Sequence, residues 1–189
     1  MKKLFTILST IAYISLFSQG TQFLINDDGL SKYVVTEVNN YKKEDLYNKT
    51  IEWINRYYKN PKEVIKGTII NDYIRIEGYS DNAFRRPAIG GVVNNPLKYQ
   101  IEVSFKDGKY KFEVISMEIK NYMFPQFSNN PFMAFNLSKD NEYVRKKNGE
   151  YRNTFKYVTD IPIFFDKINI DLKTYIESGT TNNKTNNDW

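Results

Sequence analysis

The chain has 189 residues, 41% of them hydrophobic, and contains no cysteine and no histidine. These two absences exclude disulfide bonds, catalysis by cysteine or histidine, and the usual zinc ligands. The 27 basic and 22 acidic side chains give a net charge of +5 with both signs interspersed, which predicts no nucleic-acid partner.

Residues 1–20 have the pattern of a secretory signal peptide. Two lysines precede an apolar run at 4–17, and Ser18 with Gly20 forms a small-x-small cleavage pattern. The run is too short for a comfortable membrane span. We therefore predict an exported protein, periplasmic or secreted, with no transmembrane segment after signal removal. An uncleaved anchor is the alternative.

About 169 residues remain after processing, which suits one domain with a substantial core. We predict a single domain over residues 21–178. Residues 179–189 are rich in Asn and Thr, a composition typical of a disordered tail.

A strand and a helix are predicted first. The β-branched run at 33–38 follows a turn at Asp27-Asp28-Gly29 and is typical of a strand. From 44 to 59, apolar residues recur every three or four positions, which predicts a helix with one broad buried face. Asn60-Pro61 ends this helix.

The first predicted hairpin joins strands at 63–70 and 73–79. Asn71-Asp72 can form its two-residue turn. This register places Ile69 opposite Ile74 on an apolar face, with Gly67 opposite Ile76 on the same side. A polar face would carry the remaining pairs, Thr68 with Arg75 and Lys66 with Glu77.

The second predicted hairpin turns at Asp107-Gly108. Its register places Val103 opposite Phe112 on an apolar face and Glu102 opposite Glu113 on a polar face. Such alternation predicts an antiparallel sheet with one side packed by helices. Later in the chain, Asn148-Gly149 suggests a third hairpin between 142 and 157, and Pro162 opens a last helix.

The order of these elements resembles a bacterial domain of unknown function with a TATA-binding-protein-like fold, found in exported proteins. The residues that carry the resemblance are Tyr33-Val34-Val35, Asp45-Leu46-Tyr47, Glu52-Trp53-Ile54, Val64-Ile65, Ile74-Arg75-Ile76-Glu77-Gly78 and 99–117 around Lys106-Asp107-Gly108-Lys109. The resemblance implies an α+β fold, an antiparallel curved sheet with helices packed on one face, and no assigned activity. The family-like core would span about 24–119, followed by an elaboration at 120–160 and a C-terminal helix at about 162–178.

A carboxylate pair could still catalyse a reaction without histidine, as in glycosidases. Glu102 and Glu113 would face each other across the second hairpin, as a cation site or a proton-sharing pair. The other interpretation, which we favour, is that Lys111 and neighbouring bases neutralise two exposed glutamates. We therefore predict no catalytic residue, no metal site and no cofactor.

The polar face of the first hairpin is the predicted binding surface. It presents Tyr73, Arg75, Tyr79 and Lys66, and tyrosine and arginine side chains make good recognition residues on a preformed surface. The alternatives are an ordinary solvated face and a face covered by residues 122–160.

Arg85 and Arg86 lie in the long connection from Ser80 to Pro96. They could hold an anion or a carboxylate partner, and a solvated hairpin connection is the alternative. Taken together, these patterns favour an exported noncatalytic binding module of the cell envelope, with an unknown protein or extended ligand as partner. A carboxylate-based enzyme and a structural or assembly component of the envelope remain the other hypotheses.

Overall fold

The computed structural model describes residues 21–120 and 131–178, so the predicted signal peptide and tail lie outside the described residues. The elements in chain order are β1 (Ile25–Asn26), β2 (Gly29–Leu30), β3 (Tyr33–Glu37), α1 (Lys43–Tyr57), α2 (Pro61–Val64), β4 (Ile65–Ile69), β5 (Tyr73–Ala88), β6 (Gly91–Lys106), β7 (Lys109–Lys120), β8 (Phe132–Ala134), a 3-10 turn (Asn153–Phe155) and α3 (Asp160–Ser178). Among these elements, no helix is both long and apolar enough to cross a membrane.

Six strands form one open antiparallel sheet. Its order is β3-β7-β6-β5-β4, and β8 pairs with the other end of β7. The predicted turn at Asp27-Asp28-Gly29 is present, and it joins β1 and β2 in a separate small hairpin that was not predicted. The helices α1 and α3 pack against each other and against this sheet, which confirms the predicted α+β class.

The register predicted for the second hairpin is confirmed. Val103 pairs with Phe112 and both are fully buried, whereas Glu102 pairs with Glu113 on the opposite, outer face. Gly108 supplies the positive φ of 74° that its turn requires. The β6–β7 hairpin therefore separates an inner face, which packs under the helices, from an outer polar face.

The register predicted for the first hairpin is wrong by one residue. Ile69 pairs with Tyr73, and Thr68 pairs with Ile74. The central turn residues are Ile70 and Asn71, because the Asp72 amide donates to the Ile69 carbonyl at 3.0 Å and Asn71 has a φ of 60°. The carbonyl of Asp72 accepts instead from the Phe105 amide of β6, at 2.8 Å.

The observed register moves two residues from the predicted inner face to the outer face. Gly67 pairs with Arg75, and Ile69 lies beside Tyr73 on the outer face with 53% of its surface exposed. Thr68 moves the other way, to the side of Ile74. A bulge between Ile65 and Gly67 absorbs the shift, and Lys66 still reaches the Glu77 carboxylate at 3.4 Å, as predicted.

The predicted connection from Ser80 to Pro96 is largely paired strand. The β5 strand runs to Ala88 and β6 starts at Gly91, so the turn is at Ile89-Gly90. The polar residues after Ser80 form a bulge, in which the Asn82 amide donates to the Ser80 hydroxyl at 3.4 Å. The third hairpin, suggested between 142 and 157, is shorter than predicted: one antiparallel bridge, between Arg145 and Tyr151, encloses the predicted Asn148-Gly149 turn.

Hydrogen bonds between side chains connect the helices to each other and to the sheet. The Trp53 indole of α1 donates to the Asp171 carboxylate of α3 at 2.6 Å. The buried Tyr110 hydroxyl of β7 donates to the Asn169 side chain at 2.9 Å. The last helix starts at Asp160, two residues before Pro162, which was predicted to open it. Pro162 therefore lies in the first turn, where proline is tolerated.

Two single aspartate substitutions in β6, one on each face of the strand, test which face is buried. Val103→Asp would bury an unpaired charge and should cost several kcal/mol, on the order of 3. Ser104→Asp lies on the outer face opposite Lys111 and should change stability by roughly 0.5 kcal/mol or less. Denaturant midpoints measure both, and equal losses would contradict the assignment of faces.

Candidate functional site

One row of side chains follows the outer face of β5. Strand alternation places Tyr73, Arg75, Glu77 and Tyr79 on this face, while the residues between them are buried. Tyr73 and Arg75 are half-buried, and Tyr79 is 53% exposed. The structure thus brings three of the predicted binding residues together on one rigid strand.

Arg75 is held in place by a carboxylate of the next strand. Its Nε and Nη2 atoms donate to Glu102 Oε2 at 3.2 and 2.8 Å, and its guanidinium lies 5.9 Å from the Tyr73 ring. Hydrogen bonding to Glu102 raises the pKa of Arg75. Glu113 has its own ion-pair partner in Lys111, so the two opposed glutamates are separately neutralised, as the favoured interpretation predicted.

Glu77 lies at the centre of a second charged cluster on this face. Lys66 and Lys98 approach its carboxylate at 3.4 and 3.5 Å, and Gln100 donates to it at 3.1 Å. Partial burial by itself raises the pKa of Glu77, but the Gln100 hydrogen bond and the two lysine charges lower it below its usual value. The carboxylate is therefore ionised at neutral pH.

A cleft of about 610 Å³ opens next to Tyr79. It lies between the end of α1, the short helix α2 and the middle of β5 and β6, and its lining residues include Tyr57, Tyr58, Lys59, Glu63, Lys66, Tyr79, Lys98, Tyr99 and Phe164. The Tyr58 and Tyr99 hydroxyls meet at 3.3 Å on its inner side. We name this site the tyrosine cleft.

The tyrosine cleft was not predicted, because the helical period over 44–59 includes Tyr57 and Tyr58 in the broad face expected to be buried. Tyr57 is in fact 42% exposed, with its ring stacked 4.8 Å from that of Trp53. A signal was present at Gly78, which pairs with Tyr99. A Cβ atom at Gly78 would lie 2.3 Å from the Tyr99 ring, so only glycine leaves space for that ring.

The two remaining predicted residues lie elsewhere. Arg85 is roughly 35–40 Å from Tyr73 along β5, and its Nε and Nη2 atoms donate to the two Asp160 oxygens at 2.7 and 2.8 Å. These hydrogen bonds lower the pKa of Asp160 despite partial burial. Arg85 therefore anchors the β5–β6 hairpin to the start of α3, whereas Arg86 donates to Asn95 at 3.1 Å and lines a separate cavity.

Comparison with known proteins gives a family and two solved structures. Residues 33–120 match the family described as a domain of unknown function (DUF4468) with TBP-like fold. A DUF4468 family protein from Bacteroides ovatus has a TM-score of 0.57 at 13% identity, covering 82% of this chain and 90% of that chain. A TBP-like protein from Parabacteroides distasonis has a TM-score of 0.54 at 12% identity, covering 77% of this chain and 90% of that chain. None of the curated proteins matches this chain significantly.

The open antiparallel sheet with helices on one side belongs to the TBP-like class of α+β folds. Residues 33–120 match the DUF4468 family, which confirms the resemblance identified from the sequence. At these identities the two solved structures show the fold alone. The name of the fold carries no implication of DNA binding, since folds do not fix function.

Replacing Gly78 tests the packing of the tyrosine cleft. Gly78→Ala should displace the Tyr99 ring and cost about 1–3 kcal/mol, as overpacking does. Gly67→Ala on the neighbouring strand is the matched control, because its Cβ would lie 3.8 Å from the nearest atom and should change stability by roughly 0.5 kcal/mol. Thermal unfolding of the two variants measures the difference, and similar melting temperatures would refute the close contact.

The Tyr99 hydroxyl should make the protein sensitive to alkaline pH. Burial raises the pKa of Tyr99 from 10.0 to about 12, so the folded state keeps this proton longer than the unfolded state. The stability that the folded protein gains from holding this proton is fully present below pH 10, and it is lost as the pH rises towards 12.

Between pH 10 and pH 12, the free energy of unfolding should fall less for Tyr99→Phe than for the wild type. The difference between the two losses should be on the order of 2 kcal/mol. Urea unfolding at both ends of the range measures this loss. Tyr33→Phe at the sheet surface is the control and should behave like the wild type. Identical pH profiles for Tyr99→Phe and the wild type would contradict this account of the cleft.

Proposed function

We propose that this protein is an exported, noncatalytic binding module of the cell envelope. Its partner would be a protein segment or another extended ligand, held on the outer face of β5 beside the tyrosine cleft. The observation that carries the proposal is the row of Tyr73, Arg75 and Tyr79 on one strand, with the cleft at its end.

The composition of this face supports recognition. Ile69 adds an exposed aliphatic side chain next to Tyr73, so the face combines tyrosine, arginine and isoleucine. Aromatic and arginine side chains are enriched among residues that dominate binding energy. Ion pairing fixes Arg75 before any partner arrives, which lowers the entropic cost of binding.

The ionic pairing of the outer face supports binding over carboxylate chemistry. A carboxylate that acts as a general acid needs a raised pKa. Glu102 and Glu113 each have a cation partner, and the pKa of Glu77 is lowered. Within residues 21–120 and 131–178, no group of three or more acidic side chains is placed to hold a metal ion.

The proposed location in the envelope depends on the signal pattern at residues 1–20. Phe23 supports cleavage upstream of it, because its ring is buried 5.9 Å from both Phe112 and Phe165. A mature chain that starts near residue 21 would keep this contact. N-terminal sequencing of the exported protein tests the location, and an intact Met1 in the membrane fraction would contradict it.

Two double variants with the same residue types test the binding face. The partner is first captured by crosslinking in the protein's own envelope, and its affinity is then measured by calorimetry below the melting temperature of each variant. Tyr73→Ala with Arg75→Ala should weaken binding more than about tenfold. The control is Arg56→Ala with Tyr175→Ala, a pair on the helices in which the guanidinium also lies 5.9 Å from the ring. Equal weakening by the two double variants, or none by either, would rule out this face.

A further inference from the structure

A second cavity, of about 400 Å³, lies nearer the β5–β6 turn than the tyrosine cleft does. It is bounded by the distal part of the β5–β6 hairpin, the end of β7 and the loop before α3. Its lining residues are Arg86, Asn95, Ile119, Lys120, Glu142, Tyr143, Arg152, Thr154 and Phe155.

The floor of the cavity is apolar. Ile119 and Phe155 are buried core residues, and the Tyr143 ring lies 5.2 Å from that of Phe155. Pockets for small molecules are mostly apolar, with a few polar groups that orient the ligand, and their volumes start at about 300 Å³. This cavity has both the size and the floor to hold the apolar body of a small ligand.

A buried amide provides one polar group. Asn95 is only 2% exposed, and its Oδ1 atom accepts a hydrogen bond from Arg86 Nε at 3.1 Å. This bond directs the amide NH₂ group away from Arg86, and that group donates no hydrogen bond to the described residues. The amide NH₂ group can therefore donate to an acceptor in the cavity.

The charge of the lining favours an anion. Among the described residues that line the cavity, the basic Arg86, Lys120 and Arg152 outnumber the acidic Glu142. The Nε atom of Arg152 donates to the Glu142 carbonyl at 2.8 Å, which fixes the guanidinium, while its terminal nitrogens donate to none of the described residues. Arginine recognises carboxylate and phosphate oxygens through two parallel hydrogen bonds.

We infer that this cavity binds a small molecule that carries an oxyanion on an apolar body. The oxyanion, a carboxylate or a phosphate, would accept hydrogen bonds from Arg152 and the Asn95 amide. The apolar body would cover Ile119 and Phe155. This assignment gives Arg86 a positioning role, since it orients Asn95.

The probes for this inference are benzoate, phenyl phosphate and the neutral benzyl alcohol. In NMR titrations, at least one of the two anions should shift the Asn95 side-chain amide and the Ile119 methyl signals saturably, with a Kd on the order of 1 mM for so small a ligand. Whichever anion binds more tightly identifies the oxyanion. Benzyl alcohol should bind about tenfold more weakly or worse. Absence of saturable shifts with both anions, or equal affinity for the alcohol, would overturn the inference.

Two variants separate the site from general effects on folding. Arg152→Gln should weaken binding of the preferred anion about tenfold, whereas Arg56→Gln, the same change on α1, should leave it unaltered. Glu142→Gln removes a negative charge from the lining and should tighten binding a few-fold, a gain that misfolding cannot produce. Unchanged affinity in both Arg152→Gln and Glu142→Gln would overturn the inference even if the probes bind the protein.

Discussion

The pairing of β6 with β7 is the constraint on which the rest of the structure depends. Its apolar ladder, Val103 with Phe112 and Phe105 with Tyr110, is buried on one side. A slip of one residue would send this ladder to solvent, so the register is strongly specified. The other strands of the sheet attach to this hairpin directly or through a neighbour: β5 pairs with β6, β4 with β5, and both β3 and β8 with β7.

The division of the sheet into two faces follows from that hairpin. The inner face is occupied by α1 and α3, and polar groups buried there are satisfied by specific pairs such as Tyr110 with Asn169. The outer face keeps its charges in ion pairs that run across the strands, Arg75 with Glu102 and Lys66 with Glu77. These cross-strand pairs hold the outer side chains in fixed positions, which is what a preformed binding surface requires.

Local signals predicted the parts of the fold that local chemistry determines. Asp107-Gly108 fixed the β6–β7 register, and the helical period found α1. The β4–β5 register could not be predicted in the same way, because the Asp72 carbonyl is used by Phe105 of a third strand, a contact that no hairpin pattern contains. Arg85 was assigned to a loop for a similar reason, since its partner Asp160 is 75 residues away.

The candidate sites also differ in whether local sequence patterns could predict them. Alternation along β5 placed Tyr73, Arg75 and Tyr79 on one face from the sequence alone. The tyrosine cleft requires knowing that α1 ends over Gly78 and Tyr99, and the second cavity requires bringing Asn95 and Arg152 together. Both sites are formed by residues distant in sequence, so periodicity and turn chemistry could not reveal them.

The most direct test of the account is whether the outer face of β5 is open in the free protein. Hydroxyl-radical footprinting reports the exposure of each tyrosine in solution. Tyr73 should react at a rate closer to that of Tyr57, which is 42% exposed, than to that of Tyr110, which is 1% exposed. A Tyr73 as protected as Tyr110 would show that the face is covered, and would contradict its use as a binding surface.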